Sequence, residues 1–372
     1  MKTKLLWALI IGFLTINGCK KDVIEEPTKN YKVEEITIND EKYKKISGNI
    51  DENFTFSNDV KWFLSGGVFV INGSTLTILP GTQIIADEST TAFLSITQGS
   101  KIEAIGNSNQ PIIFTTLSQQ PGSWGGIIVN GYADINTGET AEGEGGTGIY
   151  GGNNDSDNSG IIKYVRVEYA GKILGTDNEL NGFSFNGVGN GTTVEYIESY
   201  MGADDGIEFF GGTVNVLYAV SKGNKDDSFD WTHGWRGNGN YWYVEQLSSG
   251  GDRGIEADNN ADNNLATPFS NPNISNVTLV GYDDGDAQNV GLLLREGTKG
   301  KFSNIKIYNF PSAGIKVTNQ STLDNITNNE LTVSNINVNN NVVNFNNCSS
   351  FESVNNTTAT GSGTDWMNGW SK

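Results

Sequence analysis

The chain has 372 residues, with 43 acidic residues against 24 Lys and Arg and a single His, which gives a net charge of −19 at neutral pH. A surface this acidic repels nucleic-acid phosphates and attracts cations such as Ca²⁺. The composition therefore excludes nucleic-acid binding as a function. With 47 Gly, only 7 Pro and no long helical periodicity, the sequence predicts an all-β fold with many tight turns.

The first segment has the features of an export signal. Two lysines precede a short apolar run, Leu5–Leu14, which is too short to span a bilayer. Gly18 and Cys19 follow, and a small residue directly before a cysteine resembles the lipobox at which bacterial lipoproteins are cleaved and acylated. We therefore predict a signal peptide over residues 1–18 and a lipid anchor at Cys19. An ordinary secretory signal with an incidental cysteine is the alternative.

Residues 19–45 are rich in charge and poor in apolar side chains, which predicts a tether between lipid and folded domain. Cys348 is the only other cysteine, so acylation of Cys19 leaves no intramolecular disulfide and the domain needs a large core of its own. We assign the domain to residues 46–350 and a C-terminal cap or tail to residues 351–372.

The second half of the chain is periodic. Six runs align, spaced 24, 22, 26, 37 and 23 residues apart: NGFSFNG at Gly182, DGIEFFG at Gly206, DSFDWTH at Ser228, RGIEADN at Gly254, VGLLLRE at Gly291 and AGIKVTN at Gly314. A period in the low twenties with several short strands per repeat is typical of a solenoid, here a parallel β-helix with one coil per repeat. Two insertions, residues 136–160 and 257–273, interrupt it. Six aligned runs disfavour the alternative, a β-sandwich with coincidental spacing.

Side chains alternate across each strand, so the alignment separates inward from outward positions. The inward rows are apolar and predict a continuous core: Phe183, Phe185, Ile207, Phe209, Phe229, Trp231, Ile255, Ala257, Leu292, Leu294, Ile315 and Val317. The first outward row reads Ser184, Glu208, Asp230, Glu256, Leu293 and Lys316. The second outward row reads Asn186, Phe210, Thr232, Asp258 and Arg295.

Several runs resemble those of a large family of Bacteroidetes surface and outer-membrane lipoproteins. They are STLTILPGTQI (74–84), WGGIIVNG (124–131), SGIIKYVRVEYAG (159–171), the aligned repeat and the closing DWMNGW (365–370). The resemblance covers nearly the whole mature domain. It implies a right-handed parallel β-helix at the cell surface and brings no established reaction.

Adjacent coils lie ~4.8 Å apart, so Glu208, Asp230 and Glu256 are predicted to stack as a ladder of carboxylates. Like charges so close raise one another's pKa or require a cation, and oxygen ligands on a rigid wall suit Ca²⁺. The candidate calcium ligands are the acids of the neighbouring turns, Asp204, Asp205, Asp226 and Asp227.

Two other interpretations of the ladder stay open. Its three acids are candidate catalytic residues of a glycoside hydrolase or polyuronate lyase, because carboxylates one or two coils apart bracket the separations that such enzymes use. Alternatively, the acids only cap turns and face solvent. The Gly-His-Gly and Arg-x-Lys runs of polygalacturonases are not reproduced.

Four further residues near the ladder are candidate ligand-binding residues: His233, Trp235, Arg253 and Asp258. Exposed aromatic rings beside polar groups are suited to stacking on sugars, although alternating aromatics more often belong to a core.

A second calcium site is predicted at Asp155 and Asp157. With Ser159 and Gly160 they match the first half of an EF-hand-like loop. Arg166 stands where such a loop needs a bidentate Glu, and an Asx-rich turn is the alternative.

Together these features predict a lipid-anchored β-helix at the outer membrane or cell surface, with Ca²⁺ as its only cofactor. Its predicted function is non-catalytic binding of an extracellular polysaccharide or of an outer-membrane protein partner. A carbohydrate-active enzyme and a structural or adhesive surface protein are the two alternatives.

Overall fold

A computed structural model describes residues 30–175, 178–247, 251–282, 286 and 288–372. The predicted signal peptide, the lipidation site Cys19 and the tether up to residue 29 lie outside the described residues. Within the described ranges, every helix is too short or too polar to cross a membrane.

The described chain is almost entirely β-structure. The strands of its first part are β1 (Tyr31–Ile38), β2 (Glu41–Ile50), β3 (Phe54–Phe56), β4 (Lys61–Val70), β5 (Thr75–Ile78), β6 (Gln83–Ala86), β7 (Phe93–Ile96), β8 (Lys101–Ile105), β9 (Ile112–Thr115), β10 (Ile127–Asn130), β11 (Ala141–Glu142), β12 (Ile149–Tyr150), β13 (Gly160–Glu168) and β14 (Ile173–Gly175). Those of its second part are β15 (Asn178–Glu179), β16 (Phe183–Asn186), β17 (Thr193–Tyr200), β18 (Ile207–Phe210), β19 (Asn215–Lys222), β20 (Phe229–Thr232), β21 (Asn238–Glu245), β22 (Arg253–Ala257), β23 (Asn273–Val280), β24 (Val290–Leu294), β25 (Gly300–Tyr308), β26 (Ala313–Val317), β27 (Leu331–Asn339) and β28 (Val343–Asn346). The helical elements are α1 (Gln320–Thr327) and the 3₁₀ turns Glu144–Gly146, Ser349–Val354 and Asp365–Met367.

Twenty-four strands join one sheet that coils around a long axis, and the prediction of a right-handed parallel β-helix is confirmed. One wall is the parallel ladder β4–β7–β10–β16–β18–β20–β22–β24–β26–β28. The long strands β13, β17, β19, β21, β23, β25 and β27 bend in the middle and form the other two walls.

The register of the aligned runs is the predicted one. Phe183 pairs with Ile207, and Ile207 pairs with Phe229. All twelve predicted inward residues are buried. Their aromatic rings stack along the axis, with the ring centroids of Phe185 and Phe209 5.6 Å apart, and the core is one continuous column.

Each long strand bends at a residue with left-handed backbone geometry. The bend residues form a row with φ between 49° and 59°: Tyr164, Tyr196, Tyr218, Tyr241, Asn276, Asn304 and Asn335. Asn adopts this conformation readily, whereas Tyr does so at a cost. The tyrosine rings offset that cost by stacking, with centroids 4.3, 4.4 and 5.0 Å apart in succession. Sequence analysis missed this row, whose only signal is a Tyr or Asn that recurs inside each long strand.

Residues 30–45 correct the predicted tether. They form the antiparallel hairpin β1–β2, and β2 also pairs in parallel with β4. Tyr31 and Tyr43 are buried, while charged residues on the other face reach solvent. A strand with one buried face and one charged face has the same average composition as a linker. Composition alone therefore predicted that the folded domain starts at residue 46, whereas β1 begins at Tyr31.

The C-terminal strap, residues 358–372, runs back along the side of the helix from β27 to β13. Its contacts follow the bend row: Thr358 with Asn335, Thr360 with Asn304, Trp366 with Tyr218, and Trp370 with Tyr164 and Tyr196. The predicted cap or tail therefore includes a segment that covers one flank of several coils.

The two insertions meet outside the aligned strands. Asn136 donates a hydrogen bond to the side chain of Asn259 and accepts one from Asn260, both at 3.0 Å. Residues 136–160 form a lid on the outward side of β18 and β20, where Tyr150 packs on Phe210 and its hydroxyl lies 3.3 Å from His233.

Replacement of Asn304 by Ala is expected to lower the free energy of unfolding by about 2 kcal/mol, from lost hydrogen bonds and an unfavourable φ. The Asn304 amide bonds to Asn276 at 2.6 Å, and its oxygen accepts the N–H of Thr360 at 2.8 Å. Denaturant unfolding measures the change. Ser303→Ala, at the preceding position of the same strand, is the matched control. An equal loss of unfolding free energy in both variants would contradict the role of the bend row.

Candidate cation and ligand site

The predicted acid ladder exists. Ser184 pairs with Glu208, Glu208 with Asp230, and Asp230 with Glu256, all in parallel register. The ladder is not a solvated row, however, since Glu208 is 8% exposed and Glu256 5%. Glu208 lies near the lid residues Glu144 and Tyr150, and its Oε2 accepts a hydrogen bond from Asn181.

The acids of the turns form three clusters, one of which includes the ladder residues Glu208 and Asp230. In each cluster, one oxygen per carboxylate lies within 4.8 Å of the others: Asp204–Asp205–Asp226, Asp205–Glu208–Asp230 and Asp226–Asp227–Asp252. Two oxygens bound to the same Ca²⁺ at about 2.3–2.6 Å lie at most about 5 Å apart, so each cluster is compact enough to share an ion.

Two arginines compensate the charge at one end of the ladder. Arg295 Nε lies 2.8 Å from Asp258 and 3.1 Å from Glu256, the latter as an ion pair without an aligned hydrogen bond. Arg253 pairs with Asp252 and lies 3.9 Å from both Asp227 and Glu256. Glu256 and Asp258 therefore have cationic partners.

At the other end of the ladder, Asp205, Glu208 and Asp230 have no ion-pair partner within the described ranges, and only Asp230 feels the charge of Arg295. Asp205 accepts the N–H of Asp227 at 2.8 Å, and Glu208 has the amide of Asn181. Asp230 keeps part of its side chain exposed, but its Oδ1 is shielded from solvent and has no hydrogen-bond partner. A shielded carboxylate oxygen without a donor is suited to coordinate a cation.

Burial raises the pKa of acids at both ends of the ladder, including Asp227 and Asp258 beside the arginines. Burial, followed by the charge of the next carboxylate, raises the pKa of Asp205, Glu208 and Asp230 well above the usual range. Burial and then Asp226 raise the pKa of Asp204 to about 8. At neutral pH these groups hold either protons or a cation.

An open cleft gives access to the turn acids. It has a volume of about 540 Å³, and its lining includes Glu179, Asp204, Lys225, Asp226 and Asp252. The cleft lies at the turn, so a solute can reach Asp204 and Asp226 while Glu208 stays buried.

The structure separates the four predicted ligand-binding residues. His233 lies under the lid, with Nδ1 3.3 Å from the hydroxyl of Tyr150. Trp235 is a core residue, a correction to its predicted role: it is 0% exposed, and its Nε1 donates to the carbonyl of Val214. Its ring has no face left for a ligand. Arg253 and Asp258 are held in the ion pairs described above.

The second predicted calcium pair lies apart from the clusters. Arg236 Nη2 is 2.6 Å from Asp155 Oδ1, which also accepts the N–H of Asp134. Asp157 is buried and accepts from Ser159 Oγ at 3.2 Å. The charge of Asp155 is therefore already paired, and calcium at this loop stays a prediction.

Sequence reasoning missed several residues of the site: Glu144, Tyr150, Glu179, Asn181 and Lys225. Glu144 and Tyr150 belong to the lid, Glu179 to the short strand β15, and Asn181 and Lys225 to turns, so the repeat alignment defines a position for none of them. The run EGEGG, residues 142–146, was the one visible signal, as a second acidic segment inside an insertion.

Comparison with known proteins yields one match. A family model described as a pectate-lyase-like β-helix domain matches residues 48–371. No curated protein and no solved structure matches the chain.

Proposed function

This chain belongs to the family of pectate-lyase-like β-helix domains, and on that premise we propose that it is a Ca²⁺-dependent binding protein for an acidic extracellular glycan. The observation that carries the proposal is the juxtaposition of clustered carboxylates with an open acidic cleft. A cation held there presents positive charge to the cleft, which then suits a carboxylated polysaccharide.

The donor set fits Ca²⁺ rather than a softer metal. The clusters consist only of carboxylates, on the turns of a rigid β-helix, and contain neither His nor Cys. Asp204 and Asp226 line the cleft, Asp205 and Asp230 do not, and Asp230 Oδ1 is a shielded oxygen that lacks a donor. When bound, the cation would supply a positive centre for glycan carboxylates.

Binding without turnover is favoured by the burial of the ladder. Glu208 is buried near the lid, and Glu256 is engaged by Arg295, so neither carboxylate is free to protonate a glycosidic oxygen in the cleft. We also propose, from residues 1–19 of the sequence, that a lipid on Cys19 holds the protein at the cell surface.

One observation favours polyuronate lyase activity as a second candidate function. Lys225 lines the same cleft, is exposed, and has no ion-pair partner in the described part of the chain. A neutral amine at that place is positioned to take a proton α to a uronate carboxylate, after which the bond to the leaving oxygen breaks and leaves an unsaturated product. If the wild-type protein forms that product from polygalacturonate or alginate and Lys225→Met does not, the protein is a lyase rather than a binding protein.

Calcium titration tests the cation site. We expect Asp226→Asn to weaken Ca²⁺ binding by about tenfold or more. Replacing a residue that only contacts a metal ligand already lowers metal affinity by about that factor, and Asp226 is proposed as a ligand itself. Asp324→Asn on α1 is the matched control, since it removes the same charge from an exposed position. Calorimetry on the whole chain gives both affinities, and equal affinities in the two variants would exclude a site at the clusters.

Glycan binding is tested separately. Immobilised polygalacturonate or alginate should retain the protein in Ca²⁺ and release it in EDTA, and Asp226→Asn should not be retained. Retention that persists in EDTA would show that the cleft binds glycan without a bridging cation.

A further inference from the structure

A small cavity lies under the lid beside the carboxylate clusters, close enough that Glu144 of its lining raises the pKa of Asp204 and Glu208. It has a volume of about 150 Å³ and is lined by Glu142, Gly143, Glu144, Tyr150, Phe210 and His233. None of these residues belongs to the carboxylate clusters. Strands β11 and β12 and the 3₁₀ turn between them form one side, and the ends of β18 and β20 form the other.

Three rings form the inner wall of this cavity. The centroid of Phe210 lies 6.3 Å from that of Tyr150 and 5.6 Å from that of His233, with tilted planes. The hydrogen bond between Tyr150 and His233 holds both side chains in place. Burial lowers the pKa of His233 to about 4, so the imidazole is neutral at physiological pH. The wall therefore consists of aromatic side chains and carries no positive charge.

Two carboxylates, those of Glu142 and Glu144, complete the lining. Across the residues that the structure describes, neither has an ion pair or a side-chain hydrogen bond. Burial, and then the charge of Glu179, raise the pKa of Glu144 to about 7, which is the behaviour of a carboxylate without a nearby cation.

We propose that this cavity binds the alkylammonium group of a small molecule. Ring faces attract a cation through their quadrupole, and a carboxylate at the same cavity neutralises it. The volume is well below the roughly 300–1,000 Å³ of pockets that enclose whole drug-sized ligands, so it suits a head group rather than a sugar chain. The net charge of −19 raises the local concentration of such cations.

Choline and 3,3-dimethylbutan-1-ol separate charge from shape. The two have the same branched head group, but only choline is charged. We expect choline to show saturable shifts in an NMR titration of the whole chain, and the neutral isostere to bind at least about fivefold more weakly. The titration is run in EDTA and in Ca²⁺. Binding in both buffers makes this site independent of the proposed cation site, whereas choline displaced by Ca²⁺ would place it at the metal clusters and overturn the proposal.

Three variants locate the site. Glu144→Gln and Phe210→Leu should each weaken choline binding about fivefold, since one removes the counter-charge and the other an aromatic ring. Glu139→Gln, an exposed acid of the same lid that does not line the cavity, should leave it unchanged. Equal affinities for choline and its isostere, no saturable binding of choline, or equal weakening in all three variants would each overturn the proposal. Far-UV circular dichroism of the three variants confirms that they compare folded proteins.

Discussion

Raising the pH from about 5 to about 8 without calcium is expected to destabilise this protein, by about 3 kcal/mol in the free energy of unfolding. The cause is the set of buried acids with raised pKa. The pKa is about 8 for Asp204, about 7 for Glu198 and about 6 for Asp258, and it lies well above the usual range for Asp205 and Glu208.

The sign follows from where the protons are held. Above about pH 4 these carboxyls are ionised in the unfolded chain but still protonated in the folded one, so unfolding releases protons. The contribution of these groups to stability is therefore complete at or below the pKa that they have in the unfolded chain. It is lost as the pH rises towards the higher pKa that they have in the folded protein. Each such group contributes about 1.4 kcal/mol per pH unit, and mutual coupling reduces the sum.

Thermal unfolding across this window measures the effect, with an expected drop in Tm of about 5 °C or more. Carboxyls with lowered pKa, such as Asp87, act only at lower pH and do not mask it. Glu208→Gln should reduce the dependence of Tm on pH, whereas Asp324→Asn should leave it unchanged.

Calcium should reverse the trend, because it replaces the protons that the clusters hold at neutral pH. At a free concentration of about 100 times its Kd, a single bound ion adds about 2.7 kcal/mol. A stability that rises from pH 5 to 8 in EDTA, or that is the same with and without calcium at pH 8, would contradict this account of the ladder.

Trp370→Ala is expected to cost about 3–4 kcal/mol and to release the C-terminal strap, a range typical of Trp removed from a buried site. Trp370 is 1% exposed and lies edge-to-face on Tyr164 and Tyr196 at 5.8 and 5.9 Å. Its carbonyl accepts from Arg166 at 2.8 Å, so the side chain and the backbone dock together.

The end of the strap depends on this docking. Glu198 is 0% exposed and accepts the N–H of Lys372 at 3.0 Å and the hydroxyl of Ser371 at 3.0 Å. Lys372 Nζ also lies 3.2 Å from Glu168. Loss of the Trp370 anchor leaves two buried carboxylates without these donors, which adds to the cavity cost.

Denaturant unfolding and hydrogen exchange of the tyrosine row measure the outcome. Asn368→Ala, an exposed change in the same turn, is the matched control. An unchanged unfolding free energy in Trp370→Ala, with no faster exchange at Tyr164 and Tyr196, would mean that the strap is not needed for stability.

The architecture was readable from the sequence, because each coil repeats a local rule. Alternation along strands and a period in the low twenties determine which residues face inward, and Phe183, Ile207 and Phe229 pair as their alignment predicts. The ladder of Glu208, Asp230 and Glu256 follows from the same register.

The segments that pack around the ladder and along the coils could be placed only from the tertiary structure. The lid, with Tyr150 on His233, and the strap, with Trp370 on Tyr196, join segments that no repeat relates. The hairpin of residues 30–45 was likewise hidden, because its charged face and its buried face average to the composition of a linker. Periodicity specifies contacts between neighbouring coils. Insertions and termini find their places through long-range packing and charge, and these determine which carboxylates stay without a counter-charge.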